Sequence, residues 1–112
     1  MATDWSDNIV ICDLGDEPDL SDELNDIHAR ITEKSGATPN LVLNLASVTY
    51  LNSSNIAQLL RLRKAIGEAH KKMRVCAVSD PVWSVMLLTG LDKVFDFQPD
   101  KATAIASLQI DG

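Results

Sequence analysis

The chain is predicted to fold as an α/β domain: a mixed, mostly parallel sheet of four or five strands with about four helices. Three observations carry that prediction. Short apolar runs rich in β-branched residues alternate with segments whose apolar residues recur at helical spacing. The strand-like runs are nearly continuous in apolar residues, as strands covered on both faces are. The connections between successive runs are long enough for helical crossovers, which parallel strands require. A length of 112 residues with 46% apolar content suffices for one core, so a single domain is expected over 1–112, with 1–8 as a short N-terminal arm.

The elements follow in order. "NIVICDL" (8–14) reads as the first strand, and "GDEPD" (15–19) breaks it. Leu20, Leu24, Ile27 and Ile31 then define a helix that starts at Pro18 or Asp19 and stops at Gly36, with Asp22, Glu23 and Asp26 on its outer face. Thr38-Pro39 precedes "NLVLNL" (40–45), the second strand, and "SVTYL" leads to "NSSN" (52–55). A second helix is expected from about residue 54 to about residue 71, with the stripe Ile56, Leu59, Leu60, Ile66 and Ala69. Arg61, Arg63, Lys64, Lys71 and Lys72 form its basic flank. "RVCAVS" (74–79) is the third strand; Asp80-Pro81 opens a helix that Gly90 ends, "KVFDF" (93–97) is a short fourth strand, and Pro99-Asp100 opens the last helix. Trp83, Val85, Met86 and Leu87 read as packing residues or, alternatively, as an apolar patch for a partner. Trp5 in the arm could cover the sheet edge, and Leu51 could staple the turn against Ile56 or Leu59.

Composition narrows the functional classes. The net charge of −6 argues against nucleic acid or anionic lipid as a partner, and no apolar run is long enough to insert in a membrane, so a soluble, cytoplasmic protein is expected. Charge is segregated: residues 1–51 hold ten acids and two bases, residues 52–112 six acids and eight bases. Cys12 and Cys76 lie inside strands without C-x-x-C spacing, and His28 and His70 lack metal-ligand spacing, so neither metal nor cofactor is expected. The two histidines lie on helices, His28 beside the apolar stripe and His70 at a helix end, and read as surface or half-buried residues rather than bases, and the glycines form no phosphate-cradling loop. The reading is therefore non-enzymatic.

The stretch "YLNSSNIAQLL" (50–60) carries the chemistry that is left. Ser53, Ser54 or Asn55 could each cap the helix for about 1 kcal/mol, and Asn55 with Gln58 has the spacing of a loose capping box. A serine there could instead be a phosphorylation switch, since a phosphate adds about −1.5 to −2 charges at a positive helix end.

"LVLNLASVTYLNSSNIAQLLRLRKAI" and "MRVCAVSDPVWSVMLLTGLDKVFDF", in that order, resemble the STAS domains, the family of the bacterial anti-sigma factor antagonists, over about residues 9–108. The family pattern is a strand, a short apolar turn, then D-S-S-G and an apolar helix; Asn52 and Asn55 stand here for its Asp and Gly. The resemblance implies a transcription-regulating interaction domain that switches partners. Ser54, or as second choice Ser53, would be phosphorylated by a serine kinase that is also an anti-sigma factor, and a phosphatase would reverse it. Asn52, Ser53, Ser54, Asn55, Gln58 and Arg61 would meet the partner. The alternatives are a non-cycling STAS subunit of a membrane-associated or lipid-transport complex, and a nucleotide- or small-ligand-binding STAS module. Oligomeric state is left open.

Overall fold

A computed structural model describes residues 2–5, 9–33 and 38–111. Its elements are β1 (Ala2–Trp5), β2 (Ile9–Gly15), α1 (Asp19–Glu33), β3 (Asn40–Ser47), α2 (Ser53–Glu68), β4 (Met73–Cys76), α3 (Asp80–Thr89), a 3-10 turn (Leu91–Lys93), β5 (Asp96–Gln98) and α4 (Lys101–Asp111). The five strands lie side by side in chain order. β2 to β5 are parallel, and β1 pairs antiparallel with β2, Ala2 opposite Asp13 and Trp5 opposite Val10.

That edge strand corrects the sequence reading, which expected one strand before α1 and an arm at 1–8. The polar stretch "ATDW" has no apolar alternation to mark it, because an edge strand needs only backbone pairing along one side. The expected stop of α1 at Gly36 lies outside the described residues.

Residue alternation sorts the sheet into two faces. Val10, Cys12 and Leu14 of β2, Leu41, Leu43 and Leu45 of β3, and Met73 and Val75 of β4 join one core with Leu20, Leu24, Ile27 and Ile31 of α1, Leu59, Leu62 and Ile66 of α2, and Val82 and Met86 of α3. Three crossover helices therefore share one face, as crossovers of one hand over a sequentially ordered sheet require. Val42 and Cys76 point the other way, onto Ala104 and Leu108 of α4, with Ile9 and Ile11 beside them. Each Leu or Ile so buried contributes about 1.5–3 kcal/mol.

Burial also lifts the Cys76 thiol to about 11, with the nearby Asp100 and Asp13 carboxylates adding to the effect, so it stays a protonated core residue at neutral pH. On the same face Arg74 is nearly buried; its Nη1 pairs with Asp96 at 3.0 Å and its Nε donates to Ser107 of α4 at 3.1 Å.

Three boundaries and one helix face differ from expectation, the first boundary being β4, which is Met73–Cys76 rather than 74–79. α2 ends at Glu68 rather than about residue 71, since His70 adopts a left-handed conformation (φ 60°). There the Lys71 N–H donates to the Ile66 carbonyl and the His70 N–H to the Gly67 carbonyl, each at 3.0 Å, which is a Schellman stop. The last strand is Asp96–Gln98, not 93–97, because the N–H groups of Val94 and Phe95 both turn back to the Leu91 carbonyl. In α2, Leu60 faces solvent and Ala69 is the C-cap, while Leu62, Asn55 and Gln58 turn inward.

Ala77, just past β4, also has positive φ (56°) and, unlike Asn or Asp, has no side chain to offset the strain. Ala77→Gly is expected to raise stability by about 0.5–1 kcal/mol, a few degrees in Tm, net of the entropy glycine loses on folding. A thermal melt with an unchanged or lower midpoint would refute this.

Candidate functional site

The loops that leave the carboxyl ends of parallel strands gather at one edge of the sheet, where α/β domains present their sites. Here they are 16–18, 48–52, 77–79 and 99–100. The 48–52 loop is pinned from both sides. The Asp16 carboxylate accepts from the Thr49 N–H at 2.8 Å and from the Thr49 hydroxyl at 2.6 Å, and the Ser79 hydroxyl donates to the Val48 carbonyl at 2.9 Å. Val48 and Leu51 anchor its underside in the core, and Tyr50 stands out at its tip, 62% exposed.

α2 begins immediately afterwards. Its N-cap is Asn52, not Ser53, Ser54 or Asn55. The Asn52 Oδ1 accepts from the Asn55 N–H at 2.8 Å, and the Asn55 Oδ1 accepts from the Asn52 N–H at 3.1 Å, a closed capping box two amides wide. The box is thus Asn52 with Asn55, rather than Asn55 with Gln58. It occupies the N–H of the third helical residue, while the Ile56 N–H returns to the Asn52 carbonyl at 3.1 Å. Among the described residues the N–H groups of Ser53 and Ser54 have no protein acceptor. Both serines are exposed, and the first turn of α2 holds no acid.

Asn55 is fully buried, and Gln58 is 6% exposed. The Asn55 Nδ2 lies 3.3 Å from the Gln58 Oε1 and 3.4 Å from both the Glu17 carboxylate and the Ser21 hydroxyl. The Gln58 Nε2 donates to the Ser21 carbonyl at 3.1 Å and to the Asn25 Oδ1 at 3.0 Å. Of the six residues the sequence assigned to a partner, Asn55 and Gln58 therefore serve the α1–α2 seam. Asn52 is half-buried in the cap, and Ser53, Ser54 and Arg61 are presented outward.

Glu17 closes the network by accepting from the Ser21 hydroxyl and, at 2.6 Å, from the Ser21 N–H. Sequence reasoning missed Asp16, Glu17, Ser21, Thr49 and Tyr50. The first two are charged residues of the "GDEPD" break, a loop already marked by its proline, but nothing in the local pattern says which loop they would clasp.

Hydrogen bonds from Ser21 hold Glu17 below the usual carboxylate value, and the Thr49 hydroxyl and N–H do the same for Asp16. A carboxyl that releases its proton more readily in the folded chain stabilises the fold above its ordinary value and loses that contribution as pH falls through its lowered one. Thermal melts taken from about pH 6 down to about pH 3 should therefore show falling stability, with a shallower fall in Asp16→Asn. An identical slope in the variant would contradict the clamp.

On α3, Met86 and Val82 are buried and Val85 is half-buried, but Trp83 is 36%, Leu87 53% and Leu88 88% exposed. Trp83 and Leu87 thus belong to an outward apolar face rather than to the core, with Trp83 seated edge-on to Phe97 at 5.1 Å between ring centroids. Among the described residues no helix is long and apolar enough to cross a membrane, and no cluster of His, Cys, Asp or Glu is disposed to hold a metal.

Residues 17–104 match the family model of the STAS domain. The anti-sigma F factor antagonist of Paenibacillus polymyxa is 27% identical over 71 residues, which are 63% of this chain and 61% of that protein, so the match spans less than two thirds of that curated relative. An anti-sigma-factor antagonist (STAS) domain protein from Planctomyces limnophilus superposes with a TM-score of 0.81 at 18% identity, covering 96% of this chain and 97% of that one. A sulfate transporter family protein from Wolinella succinogenes does so with a TM-score of 0.71 at 19% identity, covering 93% and 88%. At these identities the two structures share the fold with this chain.

Proposed function

The chain belongs to the STAS domain family, and from that premise we propose that it is a cytoplasmic, non-enzymatic interaction domain of the anti-sigma factor antagonist type, one such domain over 1–112, switched by phosphorylation of Ser54. The observation that carries this reading is the placement of that serine. It is exposed in the first turn of α2, next to N–H groups that no acceptor among the described residues fills, on a turn clamped by Asp16 and by the Asn52–Asn55 box. A phosphate at this position meets the positive helix end, so the domain tolerates it, whereas a partner seated there meets new charge and bulk. The partner of this reading is a serine kinase that is also an anti-sigma factor, and a phosphatase restores the free serine.

The experiment is incubation of the full chain with the cognate kinase and ATP, followed by mass spectrometry. One phosphate is expected on Ser54, absent in Ser54→Ala; phosphate on neither serine would overturn the switch. A second reading, constitutive docking of the same turn in a membrane-associated complex, is favoured by the filled capping box, since Asn55 puts a side chain where the antagonist pattern has Gly. It predicts that the same incubation leaves the serines unmodified while partner binding persists.

A further inference from the structure

The far end of α2 forms a cleft of about 390 Å³ whose charged lining is Arg63, Lys71, Lys72, Arg74, Lys93 and Asp96. Five of the chain's ten Lys and Arg line it against one carboxylate, in a protein whose net charge is −6. That carboxylate, Asp96, is already paired with Arg74 at 3.0 Å. Among the described residues no carboxylate pairs with Lys71, Lys72 or Lys93. Beyond the C-terminal dipole of α2, no paired carboxylate among the described residues offsets their charge, and a low-dielectric wall focuses the field.

The cleft is also held in shape. The Arg63 Nε donates to the Val94 carbonyl at 2.9 Å, which fixes one edge of the guanidinium and leaves its other N–H groups for a ligand. The Schellman stop at His70 sets the path of Lys71, and the Lys72 N–H donates to the Asn40 Oδ1 at 2.9 Å while its carbonyl accepts from Leu41. Phe95, which is buried, and half-buried Val94 join Ile66 and Met73 as an apolar wall, and Phe95 is braced edge-on by Phe97 at 6.2 Å.

We propose that this cleft binds a small phosphate monoester with an apolar body. Its phosphate would lie between Arg63, Lys71, Lys72 and Lys93, and its body against Val94 and Phe95. A dianionic head matches several unpaired cations better than a single carboxylate would, and the volume is that of a small-ligand pocket. Helix rise places Gly67 about 20 Å from Ser54, so the site is separate from the phosphorylation turn and does not rest on that reading.

The test is titration of isotope-labelled full chain with 4-nitrophenyl phosphate, 4-nitrobenzoate and inorganic phosphate, followed by amide NMR. Saturable shifts at Gly67, Lys71, Val94 and Phe95 are expected with the phosphate ester, with the other two probes at least about tenfold weaker. Lys71→Gln/Lys93→Gln, two exposed lysines without ion pairs among the described residues, should weaken the ester by about tenfold or more with an unchanged melting point. The proposal is overturned by any of four results: no saturation below about 10 mM, equal binding of the three probes, shifts centred on Ser53 and Ser54, or undiminished binding by the double variant.

Discussion

Ser54→Asp is expected to lower affinity for the proposed anti-sigma partner by about a hundredfold or more, roughly 2.7 kcal/mol, while Ser54→Ala leaves it within about threefold. The asymmetry follows from where the side chain stands. Ser54 is exposed at the second residue of α2, so its hydroxyl supports neither the cap, which is Asn52, nor the core. Removing that hydroxyl takes nothing from the fold. Adding a carboxylate places a charge that the free domain solvates and the helix dipole favours, so melting points should differ by no more than a few degrees. In a complex the same charge loses water, and an unpaired charge buried at an interface costs several kcal/mol. Isothermal titration with the partner measures both variants. Equal affinities for the Ala and Asp proteins would show that the partner docks elsewhere, and the outward apolar face at Trp83, Leu87 and Leu88 would become the surface to mutate next.

The legible part of this molecule was the part governed by local periodicity. The Leu20, Leu24, Ile27, Ile31 stripe places α1 correctly, and the near-continuous apolar runs of β2, β3 and β4 announce a sheet covered on both sides. The illegible parts depend on tertiary partners. β1 carries no apolar alternation, since its pairing uses backbone groups. The inner face of α2 is not legible from apolar spacing because its first turn buries amides rather than hydrocarbons; Asn55 and Gln58 look like surface residues until Ser21, Asn25 and Glu17 meet them from more than thirty positions away. The same holds for Trp83 and Leu87, whose hydrophobicity promised burial that α3 does not supply. At the candidate site, the sequence located the serines and the helix start, but the clasp of Asp16 on Thr49 joins loops that only the fold brings together.

Asn55→Gly, which restores the residue of the D-S-S-G pattern, is expected to destabilise this domain by about 3 kcal/mol, or about 10 °C in Tm. Glycine removes the acceptor for the Asn52 N–H, deletes the amide that links Gln58 to Glu17 and Ser21, vacates a fully buried volume, and adds backbone entropy to the unfolded chain. A buried polar group left without its partner costs about 1–3 kcal/mol, and glycine within a helix about 1 kcal/mol relative to alanine. Ser54→Gly, one residue earlier on the exposed face, should lose no more than about 1 kcal/mol, which separates the network from simple helix propensity. Gln58→Leu added to Asn55→Gly should cost about 1 kcal/mol more, because the Gln58 Nε2 bonds to the Ser21 carbonyl and the Asn25 Oδ1 are lost with it. Asn52 belongs to the same argument: its neutral amide stands near the Glu17 carboxylate to which Asn55 hydrogen-bonds, and an aspartate at 52 would repel that carboxylate. The two asparagines thus fit an α1 loop that brings its own anion to the start of α2, and amide exchange at residues 53–56 should accelerate in Asn55→Gly as that arrangement opens. Equal losses in Asn55→Gly and Ser54→Gly would instead mean that the buried amides contribute nothing to holding Ser54 in place.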